Sequence, residues 1–202
     1  MEHGNKLTQD DRTLSFYTQE ASAYASRGEY PNAKHTEAFL SLLPAGASIL
    51  ELGCGDGRDS ELMIGRGFNV RPTDGTPGMA QAAEQRLGIP VATLLFADLN
   101  EKSTCDGIWA NACLLHVPRQ DLPGILSKIH AALKKGGAFY ASFKAGETEG
   151  RDQFDRYYNY PSESTLREWY AASAWADVTI TAEKGGGYDR RPTDWLHVVA
   201  IK

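Results

Sequence analysis

Long apolar runs are missing from this chain of 202 residues, and none approaches the roughly 18–20 residues that a membrane span needs. The N-terminal "MEHGNKLTQDDR" lacks the apolar core of a signal peptide. Cysteine is scarce. Cys54, Cys105 and Cys113 form no metal or redox spacing and cannot all pair, as expected for reduced thiols in a cytoplasmic protein. No metal is expected. An excess of basic residues is also absent: 21 Lys and Arg stand against 26 Asp and Glu, for a net charge of −5. That balance excludes the basic face of a duplex nucleic-acid binder. No repeat, low-complexity tract or linker-like segment divides the chain, so one domain over residues 1–202 is expected.

What the chain does have is an alternation. After two helical patterns, "TLSFYTQEASAYASR" and Asn32 to Leu43, short apolar runs appear at "SILEL", "FNVRPTD", "TLLFADL", "DGIWANA" and "GAFYASF". Helical patterns separate most of them: one after Arg58, one from Thr76 to Leu87 capped by Gly88, and one from Leu122 to Leu133 ending at Gly136-Gly137. The link between the third and fourth runs is too short for a helix. Strand–helix alternation of this kind predicts a largely parallel sheet covered on both faces. Beyond residue 145 comes a polar, loop-like stretch, then a helix at "STLREWYAASA" and two strands joined by a Gly-rich connection, read as an antiparallel pair.

The densest signal is "ILELGCGDGRDS", where Gly53, Gly55 and Gly57 occupy alternate positions directly after a strand. Such turns let a ligand approach the backbone at a helix N-terminus. A dinucleotide fingerprint fails in both registers, because Arg58 or Ser60 stands where the third small residue belongs. That disfavours a nicotinamide dehydrogenase. A phosphate-cradling P-loop fails as well, for want of Gly-Lys-Ser/Thr.

These residues, with "NVRPTDGTPGM", "LLFADL", "CDGIWANACLLHVP" and "LKKGGAFYASF" in that order, resemble the five ordered motifs of the class I S-adenosylmethionine-dependent methyltransferases. The resemblance spans roughly residues 45 to 202. It implies an α/β, Rossmann-like, doubly wound sheet of seven strands, mostly parallel with an antiparallel C-terminal strand. Residues 1–44 would form a helical lid over that core, 45–202. The implied cofactor is S-adenosyl-L-methionine, released as S-adenosyl-L-homocysteine. Within the superfamily, "GRDS", "DGIWANACLLHVPR" and "SFK" are similar to small bacterial proteins of the tellurite-resistance-like type.

The resemblance also implies roles. Glu51 orients the loop of Gly53, Cys54 and Gly55 near the methionine part of the cofactor, and Asp74 meets the ribose hydroxyls beside Gly75 and Thr76. Asp98 meets the adenine amino group, with Leu99 supplying backbone. Met79 either packs on adenine or belongs to the core. Arg58 and Asp59 either contact the cofactor or serve the helix start. Tyr17, Tyr24 and Arg27 lie on the N-terminal helix, either as lid residues or as ordinary packing. Asn111, Ala112 and Leu115 follow the fourth strand under the methionine moiety. His116 is a candidate base or a packed histidine, and Lys144 a candidate partner for an anionic acceptor or a loop lysine. The stretches "DQFDRYYNY" and "GGGYDRRPTDW" suit the capping of a pocket.

No "NPPY"-like sequence follows the fourth strand, so amino methylation of nucleic-acid bases is not supported. The expected partner is a small-molecule acceptor such as a thiol, an oxyanion or a metabolite. The alternative is a binding module that holds the cofactor without turnover.

Overall fold

The computed structural model describes residues 9–26, 32–187 and 191–202. Its sheet has seven strands: β1 (Ser48–Leu52), β2 (Asn69–Asp74), β3 (Ala92–Thr93), β4 (Cys105–Ala110), β5 (Leu133–Lys144), β8 (Asp177–Gly186) and β9 (Pro192–Ile201). A separate hairpin pairs β6 (Gly150–Arg151) with β7 (Tyr157–Tyr158). The helices are α1 (Asp11–Ala25), α2 (Ala33–Leu40), α3 (Arg58–Gly65), α4 (Pro77–Leu87), α5 (Leu122–Ala132) and α6 (Glu163–Ala171). Strand order is β3-β2-β1-β4-β5-β9-β8. The pairs among β1 to β5 are parallel, and β9 runs antiparallel to both neighbours. This is the expected doubly wound sheet with its antiparallel C-terminal strand.

Side chains alternate across the sheet, and the two faces bury different things. On one face Leu50, Leu52, Ile108, Ala110, Phe139, Phe143, Val198 and Ala200 join the large apolar cluster with α5 and α6. On the other, Ile49, Trp109 and Tyr140 pack with Phe39 and Leu40 of α2 and Met63 of α3. The Trp109 and Tyr140 rings stack at 3.9 Å. Glu51 pairs in register with Trp109, Trp109 with Tyr140, and Ser142 with His197, so the α2 face carries polar groups toward the carboxyl ends of β1, β4 and β5, where β9, running the other way, contributes His197.

Four local readings are corrected. "TLLFADL" is not one strand: β3 covers only Ala92–Thr93, and Phe96–Asp98 form a 3-10 turn. An edge strand with one neighbour has little to extend against. Helix α2 stops at Leu40 rather than Leu43, its last carbonyls taken by the N–H groups of Leu42 and Leu43 in a tightened turn. Helix α5 ends at Ala132, and the chain is already in β5 before Gly136 and Gly137. A Cβ on Gly137 would lie 2.9 Å from the Asp106 carbonyl oxygen, so that glycine serves close strand approach. The stretch read as a loop after residue 145 contains the β6–β7 hairpin.

Candidate functional site

Strand β1 ends in the glycine turn. Gly53, Gly55 and Gly57 all have positive φ, at 67, 57 and 84°, a region that costs an L-residue about 1–2 kcal/mol. Each glycine also has a neighbour. A Cβ on Gly53 would sit 2.5 Å from the Cys113 Cβ, and one on Gly57 would meet Leu87 at 3.0 Å. Over Gly55 the nearest atom is Cε1 of Tyr24, 3.6 Å from a built Cβ. The turn therefore lies bare beneath an aromatic ring of α1.

Asp74 closes β2 and holds this turn. Its Oδ2 accepts from the Gly55 N–H at 3.0 Å, and its Oδ1 accepts from the Thr76 N–H at 2.9 Å and the Thr76 hydroxyl at 3.1 Å. The Thr76 hydroxyl in turn caps α4 by accepting from the Met79 N–H. Glu51 lies 2 % exposed beside the turn and accepts from the Ser60 hydroxyl. Burial raises the pKa of Asp74 and lifts that of Glu51 well above the usual carboxylate range, with nearby Asp59 adding to the Glu51 shift. Asp56 is paired with both Arg58 and Arg86 at 2.9 Å.

One cavity of about 470 Å³ runs along the carboxyl ends of the strands, a volume ordinary for a small-molecule site. Of the expected cofactor residues, Tyr17, Tyr24, Glu51, Gly53, Cys54, Gly55, Arg58 and Asp59 line it. So do Asp74, Gly75, Thr76, Met79, Asn111 and Ala112, and of the catalytic candidates His116. Met79 is both: it is buried in the core and it lines the cavity.

Other residues stand elsewhere. Asp98 is exposed and outside the cavity lining. Leu99 and Leu115 are buried in the apolar cluster beneath. Lys144 also lies off the lining, its Nζ 4.5 Å from the Tyr158 ring centre. Arg27 and residues 188–190 of "GGGYDRRPTDW" fall outside the described residues. Asp59 faces the cavity with its carboxylate already committed: it accepts from the Asn32 N–H, the Trp109 indole and the Asn111 amide at 2.9–3.0 Å.

His116 sits beneath α1. Its Nδ1–H donates to the Tyr157 carbonyl at 2.6 Å, which leaves Nε2 to accept from the Tyr17 hydroxyl at 3.0 Å. Arg156 donates to the same Tyr17 oxygen at 3.1 Å. Burial first, and the nearby Arg156 charge, push the His116 pKa down to about 3, so the ring is neutral at pH 7.

Sequence reasoning reached the cavity's far rim, where α2 meets β8 and β9, only through "GGGYDRRPTDW", whose Gly185, Gly186 and Trp195 line it; the other rim residues were missed. Asn32, His35, Glu183, Trp195 and His197 all line the cavity there. The His35 and His197 rings stack at 3.8 Å, and the Tyr140 hydroxyl lies 2.8 Å from Nδ1 of His197. Burial lowers both imidazole pKa values, that of His197 to about 4. A signal was present: His197 interrupts the apolar "WLHVVAI" on a covered strand. Gln9 was also missed. It lines the cavity beside Gly75, and its buried Oε1 has no hydrogen-bond partner among the described residues.

Residues 49–137 match the family described as "Methyltransferase domain". Curated relatives include trans-aconitate 2-methyltransferases of Variovorax paradoxus, 29 % identical over 73 % of this chain and 56 % of that protein, and of Paracidovorax citrulli, 30 % identical over 67 % and 49 %. The chain thus spans about half the length of the curated relatives it matches. Among solved structures, a Burkholderia thailandensis 1,6-didemethyltoxoflavin-N1-methyltransferase with bound 1,6-didemethyltoxoflavin and S-adenosylhomocysteine superposes with a TM-score of 0.76. It is 22 % identical, over 95 % of this chain and 87 % of that one. A phosphoethanolamine N-methyltransferase of Haemonchus contortus in complex with S-adenosyl-L-methionine gives 0.73 at 15 % identity, over 92 % and 57 %. Residues 49–137 of this chain match a methyltransferase domain by sequence, and the chain has the fold of the class I methyltransferases.

Proposed function

We propose that this protein transfers a methyl group from S-adenosyl-L-methionine to a small-molecule acceptor. The observation that carries the reading is a continuous cavity that joins the bare glycine turn, under Tyr24, to the polar rim at Asn32, His35 and His197. The cofactor half fits its group on the molecule's own terms. The turn presents backbone where side chains would collide, and the buried carboxylates of Glu51 and Asp74 favour a cationic neighbour. Gln9 Oε1 is an acceptor still open to a donor such as an adenine amino group or a ribose hydroxyl. In this reading Gln9 takes the adenine-side role that the resemblance implies for Asp98.

When bound, the cofactor supplies a methyl group already activated on a sulfonium sulfur. The chain's task is to align the acceptor with it and to exclude water. Asn111 and Ser142 stand between the two halves, the Ser142 hydroxyl donating to Asn111 Oδ1 at 2.8 Å. Ala112, held at φ 51° with its N–H on the Ser142 oxygen, brings backbone against the same space. His116 offers a fixed Nε2 lone pair to an acceptor's O–H or N–H, in exchange for the Tyr17 hydroxyl. With its pKa near 3 it orients that proton better than it removes it. The finer likeness to tellurite-resistance-like proteins adds no acceptor to this reading.

The test is a calorimetric titration with S-adenosyl-L-homocysteine, followed by homocysteine-coupled turnover over an acceptor panel that begins with trans-aconitate. Saturable binding with acceptor-dependent release is the expected result. Absence of binding at millimolar ligand sinks the reading, and binding without release from any acceptor supports a non-catalytic module instead.

A further inference from the structure

The rim residues make a second arrangement. We propose that His35, Glu183 and His197 bind a first-row divalent transition-metal ion at the outer end of the cavity.

The three residues come from three elements, α2, β8 and β9, and their ligand atoms lie within 4.8 Å of one another. His35 Nε2 and Glu183 Oε2 are 3.2 Å apart, close to the edge of a tetrahedral zinc site with bonds of about 2.0–2.2 Å. Binding one ion requires the stacked His35 and His197 rings to open from 3.8 Å and turn a nitrogen each toward a common point beside Glu183. Metal-bound histidines are oriented through their second nitrogen. Here the Tyr140 hydroxyl holds Nδ1 of His197 at 2.8 Å, itself held by Asn32 Nδ2 at 3.2 Å, so Nε2 is the nitrogen left for a cation. Two imidazoles and one carboxylate suit zinc, nickel, cobalt or copper, and suit magnesium or calcium poorly. All three residues line the cavity, so the remaining coordination position faces water or an acceptor.

A cation is already there in another form. Lys34 Nζ lies 2.6 Å from the Glu183 oxygen that faces His35, on a side chain 72 % exposed. The ammonium neutralises the carboxylate in the metal-free chain and can leave for solvent when an ion enters. This makes the proposal separable from a plain ion-pair latch between α2 and the sheet edge. Loss of the lysine weakens a latch, whereas it removes a competitor from a metal site.

The experiment titrates zinc chloride into the metal-free full chain by calorimetry and reads the visible spectrum of the cobalt form. It needs no acceptor or cofactor and is independent of the methyl-transfer reading. One zinc per chain with micromolar or tighter affinity is expected, with the intense cobalt bands of a four- or five-coordinate site. Glu183→Gln and His197→Ala should each weaken zinc at least ten-fold, and Tyr140→Phe about ten-fold. Lys34→Met should tighten it. Circular dichroism checks each variant's fold, and if His197→Ala does not fold, the exposed Glu183→Gln and Lys34→Met decide. No zinc binding at millimolar concentration, binding indifferent to Glu183→Gln, or weaker binding in Lys34→Met overturns the proposal.

Discussion

The two ends of the cavity are built by different means. At the glycine end the surface is backbone: three residues at positive φ, fixed by Asp74 and by the Cys113 and Leu87 side chains behind them. At the rim the surface is side chains, contributed by α2, β5, β8 and β9. A backbone cradle admits little variation, because any side chain closes it. A rim of side chains on several elements can be exchanged one residue at a time without disturbing the sheet. In the proposed reading that division matches the task, with one invariant donor at the first end and an individual acceptor at the second.

The comparison is broken most severely by Gly53→Ala. Its Cβ meets Cys113 at 2.5 Å in a left-handed conformation. Strain and overpacking together should cost about 2–5 kcal/mol, seen as a large drop in melting temperature with loss of S-adenosyl-L-homocysteine binding. A wild-type melting curve shows that the turn is more pliable than its geometry implies. Asp74→Ala comes next. Removing hydrogen bonds of about 1.5–3 kcal/mol each should weaken S-adenosyl-L-homocysteine ten-fold or more, and an unchanged dissociation constant removes Asp74 from the cofactor role.

His116 sharpens the boundary between the ends. Its pKa is near 3 folded against about 6.5 unfolded. The unfolded chain therefore takes up a proton below pH 6.5 while the folded chain does not. This group withdraws stability as pH falls from 6.5 towards 3, at about 1.4 kcal/mol per pH unit at most, and is silent above 6.5. The raised pKa values of Glu51 and Asp74 act in the opposite sense, so the effect is read as a difference. Denaturant unfolding of His116→Asn should lose stability less steeply than wild type between pH 7 and 5. Parallel slopes would show that the ring titrates freely. The smallest effect is expected at Trp195→Ala, which should leave S-adenosyl-L-homocysteine affinity unchanged and raise the acceptor KM a few-fold. A matching loss in cofactor affinity erases the distinction between the ends.

The glycine end was legible because its residues are contiguous and β1, which leads into it, is buried on both faces. "SILEL" reads as a nearly continuous apolar run for that reason, and it and "FNVRPTD" became β1 and β2 almost residue for residue. The edge of the sheet was not legible. "TLLFADL" has the composition of a strand, but β3 has only β2 to pair with, and the 3-10 turn that follows leaves Asp98 in solvent. The rim was hidden for another reason. His35, Glu183 and His197 are brought together by strand register and by the seating of α2, and no spacing along the chain encodes that meeting. His197 gave the one hint, a polar residue where its strand should be apolar. His116 shows the same limit: "LLHVP" allows a base or a packed histidine, and only the Tyr157 carbonyl and Tyr17 hydroxyl decide how its ring is used.

Arg156 carries a consequence for access. Its guanidinium is 1 % exposed and anchored on Asp152 at 2.6 Å, with Phe16 and Tyr17 of α1 and Phe154 and Tyr158 of the hairpin around it. Arg12 and Arg151 add pairs to Asp155 and Asp10 across the same seam. Peeling α1 away alone would strip a buried charge of its rings on one side, a costly state. Hinge and door are therefore riveted: α1 and residues 150–158 should swing as one panel, and their amides should exchange with solvent at a common rate.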